Sequence, residues 1–208
     1  MFYLVKTPDW LKNLYPQCVW SIPSDEKIIY LSFDDGPHPS ITPFVLDELK
    51  KYNAEASFFC IGKNVLAYPE VYKRIINEGH ATGNHSFNHL NGWKTSDSKY
   101  LDDIAAAKKC INSNLYRPPY GRIKRSQLRQ LSTNRFNLKT VMWTVLSGDF
   151  NEKLSPEDCL QNVLSKTKPG SIIVFHDSEK ANIRMRYALT ASLEYFKGEG
   201  YRFKKISL

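Results

Sequence analysis

The sequence lacks the features that define several classes of protein. Its 208 residues contain no apolar run near the ~20 residues that a membrane span needs. Residues 1–20 are rich in apolar and aromatic side chains, but Lys6, Pro8, Asp9 and Lys12 interrupt them, and no A-x-A-like cleavage site follows. We therefore expect no export signal. Residues 1–25 are predicted to cover the same domain that residues 26–208 form.

Cysteine is scarce, and its spacing matches no common site. Cys18, Cys60, Cys110 and Cys159 lie far apart, and no two of them form a C-x-x-C pair. This spacing argues against a disulfide scaffold and against a zinc site built on cysteine. We expect free thiols that pack as small hydrophobic side chains.

Acidic residues are missing from residues 104–148, although the chain as a whole has a net charge of +8. A one-sided basic patch can attract an anionic polymer, whereas the alternative is an ordinary solvated rim of helix and loop. No motif of RNA- or DNA-binding domains accompanies the patch, so we expect no nucleic-acid partner. The basic residues of the stretch are Lys108, Lys109, Arg117, Arg122, Lys124, Arg125, Arg129, Arg135 and Lys139.

Repeats, low-complexity tracts and Gly/Ser linkers are also missing, which favours one domain. Short β-branched and aromatic runs alternate with amphipathic segments of helical spacing, and this alternation predicts an α/β fold with a parallel sheet. Periodicity alone does not separate a closed barrel from a doubly wound open sheet. Strands are predicted at 27–33, 56–61, 80–84, 115–117, 138–146, 171–175 and 201–206, and helices at 41–52, 69–78, 100–111, 126–131, 155–165 and 188–197.

Polar side chains follow several of the predicted strands. In parallel α/β folds the carboxyl ends of the strands form one face, so residues far apart in sequence can meet there. The residues placed in this way are Asp34, Asp35, His85, His89, Arg117, Asp149 and His176.

Two histidines and two acids among these residues suggest a metal site. The i, i+4 spacing of His85 and His89 would bring both imidazoles to one face of a helical turn. With one carboxylate they make a three-ligand set that leaves a position open for water, as a catalytic zinc site requires. Because neighbouring residues leaving a strand point in different directions, the second carboxylate would stay free as a base. His38 and His80 are expected to pack or to face solvent.

Five separated segments between Ser32 and Asp177 resemble the motifs of polysaccharide deacetylases, carbohydrate esterase family 4, which share the NodB-homology domain. These segments are SFDDG at 32–36, HSFNH at 85–89, RPPYG at 117–121, LSGDF at 146–150 and VFH at 174–176. The fourth segment departs from the family pattern D-x-x-D-W, because Leu146 replaces the first Asp and Phe150 replaces Trp. The departure puts part of the substrate groove in question but not the metal site.

The resemblance implies a single distorted (β/α) barrel with about seven parallel strands and helices outside. It further implies a divalent metal, usually Zn²⁺, held by Asp35, His85 and His89. Asp34 would be the general base, His176 the general acid, Arg117 the residue that orients Asp34, and Asp149 the residue that tunes His176. Tyr120, Phe150 and Val174 would line a pocket for the acetyl methyl group, unless they simply pack in the core.

The implied activity is the removal of N-acetyl groups from a glycan that contains N-acetylglucosamine, of the chitin or peptidoglycan type. An O-acetyl esterase acting on xylan or another glycan is the first alternative, and an inactive glycan-binding module is the second. We expect a monomer whose partner is its carbohydrate substrate. The lack of an export signal favours the cytoplasm, whereas such substrates often lie in the cell envelope or outside the cell.

Overall fold

The computed structural model describes residues 3–208; residues 1 and 2 of the predicted cover segment lie outside the described part. Eight parallel strands form one sheet in the order β5-β4-β3-β2-β1-β7-β6, with β8 added beside β1. The strands are β1 Ile28–Asp34, β2 Ala56–Cys60, β3 Ala81–Asn84, β4 Leu115–Tyr116, β5 Lys139–Thr140, β6 Val145–Leu146, β7 Ile172–His176 and β8 Arg202–Phe203. The helices are α1 Asp9–Leu14, α2 Ile41–Lys51, α3 Gly62–Ala67, α4 Pro69–Asn77, α5 Asp97–Lys108, α6 Arg125–Leu131, α7 Pro156–Lys166 and α8 Asn182–Gly198.

The central strands β1, β2 and β7 are buried along most of their length, as strands with both faces covered are. Phe33 of β1 stacks on Phe58 at 5.0 Å and on Phe175 at 6.1 Å between ring centroids. These rings share a hydrophobic core with residues of the outer helices, such as Val163 and Leu189. Burial of this face therefore holds the three strands side by side.

The helix ends follow the predicted local signals. Ser155 caps α7, because its hydroxyl accepts a hydrogen bond from the Asp158 N–H at 3.0 Å, and Pro156 occupies the first turn. Gly79 follows α4 with a φ of +87°, the left-handed conformation that glycine adopts readily. Helices α1 and α3 were not predicted, and α8 begins six residues earlier than the predicted 188.

The sheet curls into an incomplete barrel, which confirms the predicted fold class. Within residues 3–208, strands β5 and β6 end the path of the sheet, and the N-terminal segment bridges this open side. In that segment Lys6 pairs with Val145 beside β6, and Val19 pairs with Val141 beside β5. The segment thus supplies backbone hydrogen bonds where a neighbouring strand would otherwise stand.

The single strand predicted at 138–146 is wrong, because the structure has two short strands, β5 and β6, at opposite ends of the sheet path. Between them the carbonyl groups of Val141 and Met142 accept hydrogen bonds from the Arg117 guanidinium, at 3.2 and 3.1 Å. The Met142 N–H donates to Val19. The carbonyl groups of Val141 and Met142 and the Met142 N–H therefore form hydrogen bonds with Arg117 and with the N-terminal segment instead of with a neighbouring strand.

The strand register aligns the carboxyl ends that carry the polar residues. Asp34 at the end of β1 lies directly opposite His176 at the end of β7. Asn84, which precedes His85, pairs with Tyr116, which precedes Arg117. None of the helices in residues 3–208 has both the length and the apolar content of a membrane span.

Candidate active site

Three side chains that could ligate a metal converge at this edge of the sheet. One ligand atom from each of Asp35, His85 and His89 lies within 4.8 Å of the others. The Oδ1 atom of Asp35 is 3.2 Å from Nε2 of His89 and 3.7 Å from Nε2 of His85. A set of two imidazoles and one carboxylate suits a divalent ion such as Zn²⁺. The predicted ligands are therefore brought together.

The two histidines do not lie on a helical turn, so that part of the sequence argument is wrong. Residues 85–89 form a loop in which Ser86 and His89 have φ values of 64° and 57°. Asp103 of α5 holds this loop, because its carboxylate accepts from the N–H groups of Phe87 and Asn88 at 2.9 and 3.0 Å and from the Asn88 amide at 2.6 Å. Left-handed turns and the buried Asp103, not a helix, therefore bring the two histidines together.

His85 is fixed in the form that a metal ligand needs. Its Nδ1 atom donates to the Arg117 carbonyl at 2.8 Å, which leaves Nε2 with its lone pair facing Asp35. Burial lowers the pKa of His85 to about 4, so the ring is neutral at pH 7. Burial alone would raise the pKa of Asp35, but the hydrogen bond from His89 and the nearby histidines lower it below its usual range.

Asp34 is buried against Arg117. The Nη1 atom of Arg117 donates to Asp34 Oδ1 at 2.7 Å and to the Ser32 hydroxyl at 2.8 Å. The guanidinium is fully buried and stacks over the Phe59 ring at 3.9 Å, and this burial lowers its pKa. The other oxygen of Asp34 lies 4.0 Å from His85 Nε2, farther than the oxygen of Asp35 does. Asp34 is therefore next to the ligand cluster but is not part of it.

His176 is held by Asp149 on the opposite side of the cluster. The two Asp149 carboxylate oxygens accept from the His176 ring Nδ1 and from its backbone N–H, each at 2.7 Å. Burial by itself lowers the pKa of His176, but the charge and the hydrogen bond of Asp149, with smaller effects of Asp35 and Asp34, raise it to about 10. The imidazole is therefore protonated at neutral pH.

The ligand cluster, Asp34 and His176 open into one cleft of about 600 Å³, whereas Arg117 and Asp149 are buried behind it. Its floor carries Asp34, Asp35, His85, His89 and His176. Much of its wall is apolar and comes from the N-terminal segment and from the loops near Trp93 and Trp143. The wall residues include Tyr3, Leu4, Leu11, Leu14, Tyr15, Trp20, Trp93, Tyr120, Arg122, Trp143, Leu146, Phe150, Val174 and Lys180.

Comparisons with known proteins agree with this geometry. Residues 21–138 match the family model described as polysaccharide deacetylase. The chain is 37% identical over 195 residues to a peptidoglycan-N-acetylglucosamine deacetylase of Bacillus cereus, which covers 90% of each protein. The chain belongs to the polysaccharide deacetylase family. The predicted family and enzyme class, a glycan deacetylase, are confirmed.

Two further relatives of this family bear on fold and substrate. A chitooligosaccharide deacetylase of Azorhizobium caulinodans is 35% identical over 163 residues, covering 75% of this chain and 76% of that protein. The crystal structure of the Bc1960 peptidoglycan N-acetylglucosamine deacetylase superimposes with a TM-score of 0.86 at 32% identity, covering 96% of this chain and 95% of that one. The fold is therefore shared across nearly the whole chain.

The two departures from the family pattern lie in the cleft wall. Phe150 packs edge-on against the His176 ring at 5.3 Å and against the Tyr3 ring at 5.0 Å. Leu146 and Val174 are buried and line the same wall. Tyr120 is 55% exposed, and its ring centroid is 4.5 Å from that of His89. The predicted pocket residues thus all border the cleft.

The cysteines and two of the histidines were predicted to have no role in the site. All four cysteines are free, as predicted, and three of them are buried. His38 contacts Glu179 at 3.1 Å, and His80 Nδ1 accepts from the Ala56 N–H at 3.2 Å, so neither joins the ligand cluster. Arg117 does not belong to a surface patch, contrary to its inclusion in the basic stretch, because it is fully buried beside Asp34.

Two residues that support the site, Asp103 and Ser32, were not predicted from the sequence to have a role. Asp103 lies on the buried face of α5, where an acid needs a partner, and this placement is the signal that could have found it. Ser32 lies two residues before Asp34 on the buried strand β1 and so shares its face, where the Ser32 hydroxyl accepts from Arg117 and donates to the Ile173 carbonyl at 2.8 Å. Both residues hold other site residues in place.

Proposed function

We propose that the chain removes N-acetyl groups from glycans that contain N-acetylglucosamine, of the peptidoglycan or chitin type, with a divalent metal, Zn²⁺, held by Asp35, His85 and His89. One observation carries this proposal. A carboxylate and a protonated imidazole end neighbouring strands in register, with the three ligand atoms beside them at the floor of one cleft. Hydrolysis of an amide needs this combination of base, acid and electrophile.

The metal site is supported by the donor set. Two imidazole nitrogens and one carboxylate oxygen fit zinc better than magnesium or calcium, which prefer oxygen ligands alone. When bound, the ion would activate a water molecule by lowering its pKa to about 7 and would polarise the acetyl carbonyl. The Arg117 carbonyl keeps the His85 ring in the required tautomer.

Asp34 is proposed as the general base. Arg117 holds one carboxylate oxygen, so the other faces the cluster, 4.0 Å from His85 Nε2. From there it can accept the proton of the attacking water. The hydrogen bond from the buried Arg117 guanidinium keeps the carboxylate in one orientation, which spares the cost of ordering it during the reaction. Arg117 is therefore a positioning residue.

His176 is proposed as the general acid. The sugar amine is a poor leaving group until it receives a proton, and the imidazolium of His176 can donate from Nε2 because Asp149 binds Nδ1. Phe150 and Val174 flank this part of the cleft and offer an apolar surface for the acetyl methyl group. A backbone N–H near Tyr120 would help to stabilise the negative charge that develops on the carbonyl oxygen.

Two variants test the proposal by separating metal binding from proton transfer. His89→Ala should lose most of its bound metal, measured by elemental analysis after dialysis against Zn²⁺. Asp34→Asn should keep its metal and lose turnover. His38→Ala and Asp47→Asn are matched controls, since both residues lie away from the cleft and pair with Glu179 and Arg74.

Activity is measured as free amine and acetate released from chitotetraose, peptidoglycan and acetylated xylan. The proposal expects amine from at least one of the two N-acetylated glycans. Full activity of the wild-type protein after complete removal of metal would overturn the metal assignment. Acetate from xylan without amine from any N-acetylated glycan would identify the chain as an O-acetyl esterase.

A further inference from the structure

Trp93 is an exposed aromatic side chain that the structure nevertheless holds in place. It lines the cleft and is 56% exposed. Its indole Nε1 donates to the Ile123 carbonyl at 3.1 Å, and its backbone N–H donates to the Asn91 side chain at 3.1 Å. Because more than half of this side chain is exposed while hydrogen bonds fix its orientation, it offers an aromatic surface on which a sugar ring can stack.

Arg122 lies over this ring. The guanidinium carbon is 4.8 Å from the centroid of Trp93, which restricts the motion of a long side chain. Arg122 lines the cleft, and among residues 3–208 it has no ion pair, whereas Lys124 nearby contacts Asp97 at 3.6 Å. A half-buried, oriented guanidinium without a carboxylate partner is suited to a carboxylate from elsewhere.

Trp93 and Arg122 belong to two loops that are hydrogen-bonded to each other, and each loop follows residues of the candidate active site along the chain. The Gly92 N–H donates to the Arg122 carbonyl at 3.2 Å, and the Gln127 side chain donates to the Gly92 carbonyl at 3.0 Å. One loop follows His89, and the other follows Arg117 and Tyr120. A side chain added at Gly92 would meet the Arg122 carbonyl at 2.5 Å, so the close approach of the loops requires glycine there.

We propose that Trp93 and Arg122 form a subsite for a carboxylate-bearing sugar residue next to the residue that is deacetylated. The ring of Trp93 would stack on the sugar, and the guanidinium of Arg122 would bind its carboxylate. This inference rests on the proposed function, since it assumes that the sugar being deacetylated sits between Asp34 and His176. It makes the preferred substrate an acidic glycan, and the neutral homopolymer the weaker one.

Trp93 and Arg122 line the cleft outside the ligand cluster and away from the proposed acid and base. A guanidinium there can bind a carboxylate on the neighbouring sugar without contacting the reacting atoms. Arg122 is therefore a specificity-determining residue in this proposal, and its effect should appear in KM more than in kcat.

The test compares two substrates that differ only in charge. One is a tetrasaccharide of alternating N-acetylglucosamine and N-acetylmuramic acid, and the other is its methyl ester, in which the carboxylate is neutralised. For Arg122→Gln, the ratio of kcat/KM for the acid to kcat/KM for the ester should fall about tenfold, as loss of a hydrogen bond to a charged group predicts. Arg122→Lys should recover part of the ratio.

Two further variants make the result specific. Arg129→Gln removes an exposed arginine of α6 outside the cleft and should leave the ratio unchanged, as a control for net charge. Lys180→Gln removes the lysine that lines the cleft. A ratio that is unchanged in Arg122→Gln, or that falls only in Lys180→Gln, would overturn the subsite.

Failure of the subsite is distinguishable from failure of the proposed function. If the wild-type protein releases amine neither from these two tetrasaccharides nor from chitotetraose, the proposed function fails, and the binding of both tetrasaccharides is then measured by calorimetry. A tenfold stronger binding of the acid that depends on Arg122 would still support the subsite. Equal binding of acid and ester would overturn it.

Discussion

The Nδ1 atom of His85 lies 2.8 Å from the carbonyl oxygen of Arg117, and this contact joins the second and third motifs of the site. The same Arg117 holds Asp34 through its guanidinium. One residue thus sets the tautomer of a proposed metal ligand with its backbone and the orientation of the proposed base with its side chain. In the proposed mechanism, metal binding and proton transfer would therefore both depend on Arg117.

Replacing Arg117 tests how far Asp34 depends on it. Arg117→Met leaves the buried carboxylate of Asp34 without its partner, so we expect a loss of stability of about 3–5 kcal/mol and a drop in kcat. Arg117→Lys should retain part of the stability, because it keeps a charge but loses the fork that also contacts Val141 and Met142. Urea denaturation with steady-state kinetics measures both effects. Arg129→Met, on an exposed position of α6, is the control, and an equal loss of stability in both Met variants would contradict the prediction.

Asp103 is expected to control metal affinity without touching the metal. Asp103→Asn replaces one of the carboxylate oxygens that accept hydrogen bonds from Phe87 and Asn88 with an amide NH₂, which cannot accept them. The loop that carries both histidines should therefore be held less firmly. Loss of such a supporting group typically weakens metal affinity by about 10–100-fold. A competitive titration with a zinc chelator measures the affinity. Asp102→Asn, at the neighbouring exposed position, is the matched control, and affinity that is equal in both variants would show that Asp103 does not hold the site.

Asp149 is expected to keep His176 protonated. In Asp149→Asn the imidazole loses its charged partner, so its pKa should fall by about 1–3 units, the alkaline limb of the kcat/KM profile should move down in pH, and kcat should fall. His176→Ala should remove that limb and most activity. An alkaline limb that stays in place in Asp149→Asn would mean that another group holds the proton.

The same ion pair predicts how stability depends on pH. The pKa of His176 is raised to about 10 in the folded protein, above the value of about 6.5 for a free imidazole. The contribution of the pair is therefore complete below pH 6.5 or so and is lost as the pH rises through about 10. Thermal melts of the metal-free protein between these limits should show a decline that is smaller in Asp149→Asn. Parallel declines in both proteins would contradict the assignment.

Salt should separate long-range attraction from local recognition. If the exposed bases of residues 104–148 attract an anionic polymer, kcat/KM on peptidoglycan should fall as salt rises, because attraction is screened over about 10 Å at 0.1 M. On neutral chitotetraose it should change little. Asp97 and Asp102 partly neutralise the surface through contacts with Lys124 and Arg135, at 3.6 and 3.7 Å, so we expect a moderate effect. Equal responses on both substrates would assign the basic stretch to an ordinary solvated rim.

Local pattern was sufficient for most of the longer strands and helices and for selecting the polar residues that meet at one edge of the sheet. The strand at Ile28–Asp34, the helix at Ile41–Lys51 and the capped helix at Pro156–Lys166 all follow from periodicity, β-branched runs and capping residues, which act between near neighbours. The polar residues at strand ends were predicted for the same reason, because the end of a buried strand can be located from the sequence alone. Their roles in catalysis stay a prediction.

Only the tertiary structure decided how these parts meet. The pairing of Asp34 with His176 depends on strands β1 and β7, which contact each other because their hydrophobic faces are buried together, although more than a hundred residues separate them. The break at Val141 and Met142 depends on hydrogen bonds from Arg117 and the N-terminal segment, and the approach of His85 to His89 depends on left-handed turns braced by Asp103. The sequence by itself determined which groups were available. Their geometry was decided by the burial of segments that are distant in sequence, because this burial offsets the entropy lost when such segments come together.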